Sequence, residues 1–289
     1  MATLENKIDF AVILRVKKAN PNGDPLNGNR PRMDYDGYGE MSDVCIKRKI
    51  RNRLLDAGYS ILVQSDDYKV DDAKSIRDRI DRTISPEDQK DNKKFFEAVC
   101  SKFLDVRAFG QVLAFKSDKK KKKEDQGEDS TSGDTGISIP VRGPVSVHSA
   151  FSITPIRPES IQITKSVSGE TTESGKKASD TMGMKHRVDD AVYVFYGSIN
   201  PQIAEKTGFS NEDAEAIKKV LPKLFENDES SARPAGSMQV LKVFWWDHGC
   251  KAGKYSSAKV HKCLKKVESD GTFQLDELDD FKPEIIDGF

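Results

Sequence analysis

The sequence has no long apolar run, which excludes a membrane-spanning helix of about 20 predominantly apolar residues. Its first residues, MATLENKIDF, lack the basic region and apolar stretch of a secretory signal. Cysteine is scarce, since 289 residues include only four, irregularly spaced. This scarcity favours a reducing compartment over a disulfide-stabilised secreted protein. We therefore expect a cytoplasmic protein without a membrane partner.

Net charge is also lacking, because 47 basic residues balance 47 acidic ones. The charges are nevertheless distributed unevenly. Residues 15–53 hold ten Lys or Arg against five Asp or Glu, whereas residues 268–289 hold eight acids and a single lysine, Lys282. This polarity predicts a basic face that can hold a polyanion and an acidic face elsewhere. Two ordinary solvated surfaces are the alternative.

The order of predicted elements indicates an α+β fold. The apolar, β-branched segment 8–17 predicts a central strand, and a helix is expected to begin near Ser42 after a loop over residues 19–40. An apolar stripe on this helix leaves Lys47, Arg48 and Arg51 on its other faces. The stripe comprises Val44, Ile46, Ile50, Leu54 and Leu55. Later strands are expected within 137–163, 191–199 and 237–246, and helices over 71–84, 86–104, 211–225 and 256–267.

Polar insertions interrupt this order. Residues 58–136 predict a helical insertion that ends in a low-complexity loop, 116–136, with five consecutive lysines at 119–123. We interpret the lysine run as an unstructured loop, with loose nucleic-acid contact as the alternative. Without the insertions, the order is strand, helix, strands, strand, helix, strand. That order suits an antiparallel sheet with two helices on one face, the ferredoxin-like arrangement that RNA-recognition domains also use.

The loop and helix start within residues 19–53 form the most informative segment. Glycines allow close backbone approach to a ligand, asparagines offer donors, and arginines precede a helix N-terminus. Together these features predict a phosphate cradle, although neither GxxxxGK[ST] nor GxGxxG is present. An ordinary surface loop beside a basic helix is the alternative. The expected contacts are Asn20, Asn22, Gly23, Asn29, Arg30, Arg32, Lys47, Arg48 and Arg51.

Seven segments carry a family resemblance, and they follow the expected order across nearly the whole chain. They are NPNGDP, GNRPR, SDVCIKRKIRN, DVRAFGQVLAF, IPVRGPVSVHSAFSI, DTMGMKH and VFWWDH. Together they resemble the backbone subunit of type I-C CRISPR surveillance complexes, the Csd branch of the seventh Cas family. The resemblance implies one elaborated domain, 1–289, shaped like a hand. Its RNA-recognition-like palm would carry inserted fingers and a thumb hairpin at 164–187.

The same resemblance implies a function in RNA binding without catalysis. Copies of the chain would stack head to tail along a CRISPR guide RNA, support pairing with target DNA, and contact the large, small and cap subunits of the complex. No catalytic residue, metal or cofactor is expected. Arg142, Gly143 and Ser146 would lie on the palm surface. The thumb residues would be Met182, Met184, Lys185, His186 and Arg187.

The two thumb methionines are expected to act as apolar wedges. Flexible apolar side chains can unstack a base step without reading its sequence, which suits a thumb that interrupts guide–target pairing at intervals. Ordinary core packing of Met182 and Met184 is the alternative.

Three other functions stay open at the level of sequence. A ribonuclease would use a loop aspartate, Asp24 or Asp34, as related subunits of type III complexes do. Two His-x-Cys pairs, at 248–250 and 261–263, have the ligand types of a zinc site, although residues i and i+2 of a helix point to different sides. A scaffold that oligomerises through charge, without RNA, would also fit the polarised charges.

Overall fold

The structure is a computed structural model that describes residues 2–115, 137–164 and 182–289. These residues form a mixed α/β structure around a large antiparallel sheet. The predicted lysine-rich loop at 116–136 lies outside the described residues, as do residues 165–181 of the predicted thumb. Within the described ranges, none of the helices is long and apolar enough to cross a membrane.

The strands and helices are numbered in chain order. The strands are β1 (Ile8–Ala19), β2 (Gly23–Asp24), β3 (Arg30–Pro31), β4 (Tyr38–Met41), β5 (Gly110–Phe115), β6 (Ile137–Arg142), β7 (Val145–Val147), β8 (Ala150–Pro155), β9 (Glu159–Thr164), β10 (Met182–Ile199), β11 (Met238–Asp247), β12 (Leu264–Val267), β13 (Phe273–Leu275) and β14 (Glu284–Asp287). The helices are α1 (Asp43–Asp56), α2 (Ile76–Thr83), α3 (Asn92–Lys102), α4 (Leu104–Phe109), α5 (Pro201–Thr207), α6 (Asn211–Val220) and α7 (Ser257–His261).

The predicted central strand is confirmed. The main sheet has the order β14-β11-β1-β10-β8-β4, and β7 and β9 also pair with β10. Strand β1 pairs antiparallel with β10 over nearly its whole length and with β11 on its other side. Its neighbours therefore come from the second half of the chain, so the sheet joins distant parts of the sequence.

Both faces of β1 are buried, because its side chains alternate between two separate cores. One core contains the even-numbered apolar side chains and the apolar faces of α1 and α6. The other contains Ala11 and Ile13, packed with Trp246, Val260 and Leu264. Each fully buried aliphatic side chain contributes about 1.5–3 kcal/mol to folding. On the helical face the cluster includes Phe10, Val12, Leu14, Val16, Ile46, Ile50, Leu54 and Ile217.

A third core lies in the predicted insertion. Helices α2, α3 and α4 pack against the β5–β6 hairpin through Ile80, Phe95, Val99 and Leu113. Helices were therefore correctly expected here, but they are shorter than predicted. Helix α3 begins only at Asn92, because the Asp91 carboxylate accepts hydrogen bonds from the first free N–H groups.

The prediction of a helix over 256–267 is wrong beyond its first turns. Helix α7 ends at His261, and the next residues form β12, which pairs with β13. The apolar side chains of Leu264, Phe273 and Leu275 all join the second core. Packing of this hairpin against the sheet therefore overrides the local helical pattern.

A buried carboxylate fastens this C-terminal cover to the sheet. The Asp9 side chain in β1 is fully buried, and its Oδ2 lies 2.8 Å from His248 Nε2. His248 Nδ1 accepts a hydrogen bond from the Lys254 N–H, so Nε2 carries the proton that is donated to Asp9. Burial alone would raise the pKa of Asp9, but the hydrogen bond from His248 and the neighbouring His261, Ser257 and Lys7 hold it well below its ordinary range.

We expect Asp9→Asn to lower the free energy of unfolding by about 3 kcal/mol at pH 7, since it removes one partner of a buried charged network. Because the folded-state pKa of Asp9 is depressed, its contribution is complete above the unfolded value of about 4 and declines as pH falls below it. Urea unfolding from pH 7 to pH 3 should show the difference between wild type and variant shrinking at the acid end. The exposed Asp280→Asn serves as control, and an equal effect of both substitutions would contradict this role.

Candidate nucleic-acid interface

The N-terminus of α1 is tied directly to the predicted binding loop. The Ser42 hydroxyl caps the helix by accepting the Cys45 N–H at 3.3 Å, as predicted. Asn22 Oδ1 in turn accepts hydrogen bonds from the Ser42 N–H (2.9 Å) and hydroxyl (3.0 Å). The loop therefore lies against the positive end of the helix, where anions are favoured.

The loop itself folds into a small hairpin, β2–β3. Asn20 is buried and donates from Nδ2 to the Asn29 carbonyl at 2.8 Å. Gly23 lies directly beneath the Asn29 side chain, so that a Cβ at this position would come within 2.0 Å of Asn29 Oδ1. Asn20, Asn22, Gly23 and Asn29 thus lie close together, and the contacts that the structure gives them set the shape of the loop.

Four basic side chains stand on the accessible side of this loop and helix. Arg30 is exposed, and Arg32 is partly exposed with Nη2 3.6 Å from Asp24 Oδ1. Lys47 pairs with Asp43 at 3.0 Å one helical turn away. Arg48 is half exposed and pairs with Asp67 at 2.8 Å. Exposed ion pairs of this kind contribute little to stability, so these cations can exchange carboxylate for phosphate at small cost.

Arg51 has a different environment from its neighbours. Its Nε lies 3.0 Å from Asp105 Oδ2, and its guanidinium lies over the Phe109 ring at 5.1 Å. Asp105 is fully buried and also accepts the Leu62 and Val63 N–H groups. Arg51 therefore joins α1 to the helical insertion, in addition to lining a cavity on the surface.

Two cavities, each of about 440 Å³, flank Arg48. Asn22, Cys45 and Arg48 line both. The first continues towards Asn52 and Arg233, and the second towards Ser42 and Gln64. The side chain of Arg48 thus divides a concave surface that begins at the helix N-terminus.

The floor of the first cavity contains a cluster of two cations and one carboxylate that the sequence pattern missed. Lys49 is buried and paired with Asp228, which also accepts from Arg233 Nε at 3.0 Å. Burial lowers the pKa of Lys49, and the neighbouring Arg233 lowers it further, while Asp228 opposes the shift. The only sequence signal was the basic run in α1, because Asp228 and Arg233 lie far away along the chain.

The predicted palm residues do not all lie beside α1. Arg142 is exposed at the end of β6. Gly143 packs so closely on α4 that a Cβ would meet the Ala108 carbonyl oxygen at 2.2 Å. Ser146 is exposed between two β7 valines that belong to the helix-covered core. Since alternate strand residues face opposite sides, Ser146 lies on the sheet face away from α1.

The described part of the predicted thumb is an antiparallel pairing of β9 with β10, from Met182 opposite Thr164 to Arg187 opposite Glu159. Met182 and Met184 are 62% and 55% exposed, so neither is part of a core. Lys185 is partly exposed, whereas His186 is buried with its Nδ1 2.8 Å from the Ser160 hydroxyl. Arg187 pairs with Glu159 at 2.8 Å. The last two side chains therefore support the base of the hairpin.

Asp24 and Asp34, the candidates for a ribonuclease, and His248, a candidate zinc ligand, all have hydrogen-bond partners within the protein. Asp24 caps the turn after β2 through the Leu26 N–H, and Asp34 accepts the Asp36 and Tyr38 N–H groups. Both ring nitrogens of His248 are engaged, as described above. Across residues 2–115, 137–164 and 182–289, no group of three or more His, Cys, Asp or Glu is placed to hold a metal ion.

Comparisons with known proteins define the family. The model of the family "CRISPR-associated protein Cas7" matches residues 6–285. A curated relative from Haloferax volcanii, "CRISPR-associated protein Cas7", is 29% identical over 248 residues, which cover 84% of this chain and 71% of the relative. The chain therefore belongs to the Cas7 family of CRISPR-associated proteins.

Two solved structures are also similar to this chain. A chain of a "CRISPR RNA-guided surveillance complex, pre-nicking" has a TM-score of 0.47 and 15% identity, over 83% of this chain and 78% of that one. A chain of a "CRISPR RNA-guided surveillance complex" has a TM-score of 0.42 and 16% identity, over 83% and 68% respectively.

We expect the two neighbouring arginines of α1 to differ in their effect on stability. Arg51→Ala leaves the buried Asp105 without its guanidinium partner and should cost about 3 kcal/mol. Arg48→Ala removes an exposed ion pair and should change the free energy of unfolding by less than about 1 kcal/mol. Urea unfolding of the RNA-free protein measures both, and equal costs would contradict the distinction.

Proposed function

We propose that this chain is a non-catalytic guide-RNA-binding backbone subunit of a type I-C CRISPR surveillance complex, acting in the cytoplasm. The observation that carries the proposal is the concave surface around Arg48. It combines a helix N-terminus, an asparagine- and glycine-rich loop, and cations whose existing ion pairs are mostly weak. Membership of the Cas7 family and the seven family-like segments support the same assignment.

The proposed interface recognises phosphates and no particular sequence. Lysine and arginine contact phosphates without encoding base identity, so the guide supplies specificity by base pairing. Arg30, Arg32, Lys47 and Arg48 make these contacts. Arg51 acts mainly by fixing α1 to the insertion, and Lys49 and Arg233 supply positive potential from beneath the cavity.

A hand-like division of the chain also belongs to this proposal. The palm is ferredoxin-like, which the antiparallel order β11-β1-β10-β7 and the two helices on one face support. Residues 58–136 are the fingers and 164–187 the thumb. The exposure of Met182 and Met184 supports their action as wedges at the guide–target duplex. Head-to-tail contacts between copies then build a helical filament along the guide, completed by the large, small and cap subunits.

Replacing both Lys47 and Arg48 with alanine should weaken guide RNA binding about tenfold or more, because even one charge-assisted contact is worth about 1.5–3 kcal/mol. The salt slope should become shallower by about 1.4, since each lost phosphate contact on a single strand removes about 0.7. Fluorescence anisotropy with a labelled guide at several salt concentrations measures both quantities.

The matched control is Arg82→Ala with Lys102→Ala, which removes the same charges from exposed positions in α2 and α3. If the control weakens binding as much as the α1 variant, the interface is wrongly placed. Complementary RNA incubated with the assembly should be recovered at full length. Cleavage that disappears in Asp24→Ala would replace the non-catalytic assignment with the ribonuclease.

A further inference from the structure

Among the residues that the structure describes, the C-terminal cover leaves a strip of the sheet open on the face opposite α1. Segment 255–281 packs on β1 and β11, whereas part of β10 and the adjoining strands β7 and β8 stay accessible. Phe151 in β8 lies opposite Val194 on this face and is 43% exposed. Ser146 and Ser198 form another cross-strand pair of the same strip. An aromatic ring is thus presented to solvent on a strand surface.

A group of rings continues the strip beside Phe151. Tyr196 stacks on His261 with ring centroids 4.9 Å apart and an interplanar angle of 28°. His148 is exposed and meets the His261 ring edge-on at 5.8 Å. An open cleft of about 380 Å³ borders the stack, lined by Tyr196, His261, Leu264 and two lysines. The ring of Tyr196 thus lines an open cleft, and aromatic rings in such positions can stack with nucleobases.

The orientation of His261 is fixed from inside the protein. Its Nε2 lies 3.2 Å from the Gly197 carbonyl oxygen and 3.5 Å from Oδ1 of the buried Asp9. The ring is therefore held in place by partners within the protein. A preoriented ring loses little entropy when a ligand stacks nearby.

Positive charge accompanies the rings. Residues 248–267 contain six lysines and no Asp or Glu. Lys265 pairs with Asp276 at 3.1 Å, but exposed Lys262 has no carboxylate partner among the residues that the structure describes. One acid, Glu40, is opposite Phe151 in the β4–β8 register, at the far end of the strip. The cleft end of the strip is thus cationic.

We propose that this strip is a second nucleic-acid surface, which binds single-stranded nucleic acid without sequence preference. Bases stack on Tyr196, His148 and Phe151, and Lys262 and Lys265 contact the backbone phosphates. Stacking rings beside cations distinguish single strands from an acidic polypeptide, which would need the cations alone. Because the strip lies on the opposite sheet face from α1, a strand can occupy it while guide RNA fills the first interface.

The test uses the assembly already loaded with guide RNA and a labelled oligothymidylate that lacks complementarity to the guide. The triple variant Phe151→Ala, Lys262→Ala, Lys265→Ala should weaken this binding at least about tenfold, since one stacking contact alone accounts for about that factor. The salt slope should fall by about 1.4 for two lost phosphate contacts. Photocrosslinking of the wild-type complex should label peptides that contain Tyr196 or Phe151.

Lys90→Ala with Lys102→Ala is the charge-matched control, and it should leave oligothymidylate binding unchanged. Guide content per particle, measured in the same samples, reports separately on the proposed function and should be equal in all variants. Unchanged binding by the triple variant, or crosslinks confined to α1 and its loop, would overturn the proposal. Binding of polyglutamate in place of oligothymidylate would instead assign the strip to an acidic polypeptide and would equally overturn it.

Discussion

The structure depends on the burial of β1 on both faces. Both faces of this central strand must be covered by other elements, because both are apolar. Apolar residues continue through Ile8–Leu14 with one interruption, Asp9. Helices α1 and α6 cover one face and the C-terminal segment covers the other. Asp9 is tolerated in this interior because His248 donates a hydrogen bond to it and Lys7 and His261 lie close to its carboxylate.

This double cover also positions the two surfaces discussed above. Helix α1 can present Arg48 outwards only because Ile46, Ile50 and Leu54 hold its other side against the sheet. The C-terminal segment fixes His261 over β10 in the same way, through Asp9. Each surface is therefore built on a helix or strand that is packed against the core.

Local sequence signals predicted a good part of this fold. Strand β1, the cap at Ser42, the end of α1 near Gly58 and the later strands β10 and β11 all follow from periodicity and turn chemistry. The close packing of the loop at residues 20–29 against α1 involves the same glycine and asparagine residues that the sequence pattern singled out.

The misassignments arise where distant residues decide the outcome. Val44 was placed on the apolar stripe, yet it is 64% exposed, whereas Arg51 is largely buried. A partner from α4, Asp105, explains the burial of Arg51, and Asp228 explains that of Lys49. Such ion pairs between distant residues leave no periodic signal in the sequence. The same holds for β12, whose partner strand and packing surface both lie outside its own segment.

In the proposed function, guide RNA templates the assembly of this chain, and native mass spectrometry of the assembled particles can test this dependence. Particles would be formed on two guides, one twice as long as the other, and compared with protein that has been freed of RNA. We expect the number of copies to rise in proportion to guide length and RNA-free protein to form no such particles. An unchanged copy number on both guides, or the same particles without RNA, would contradict this dependence.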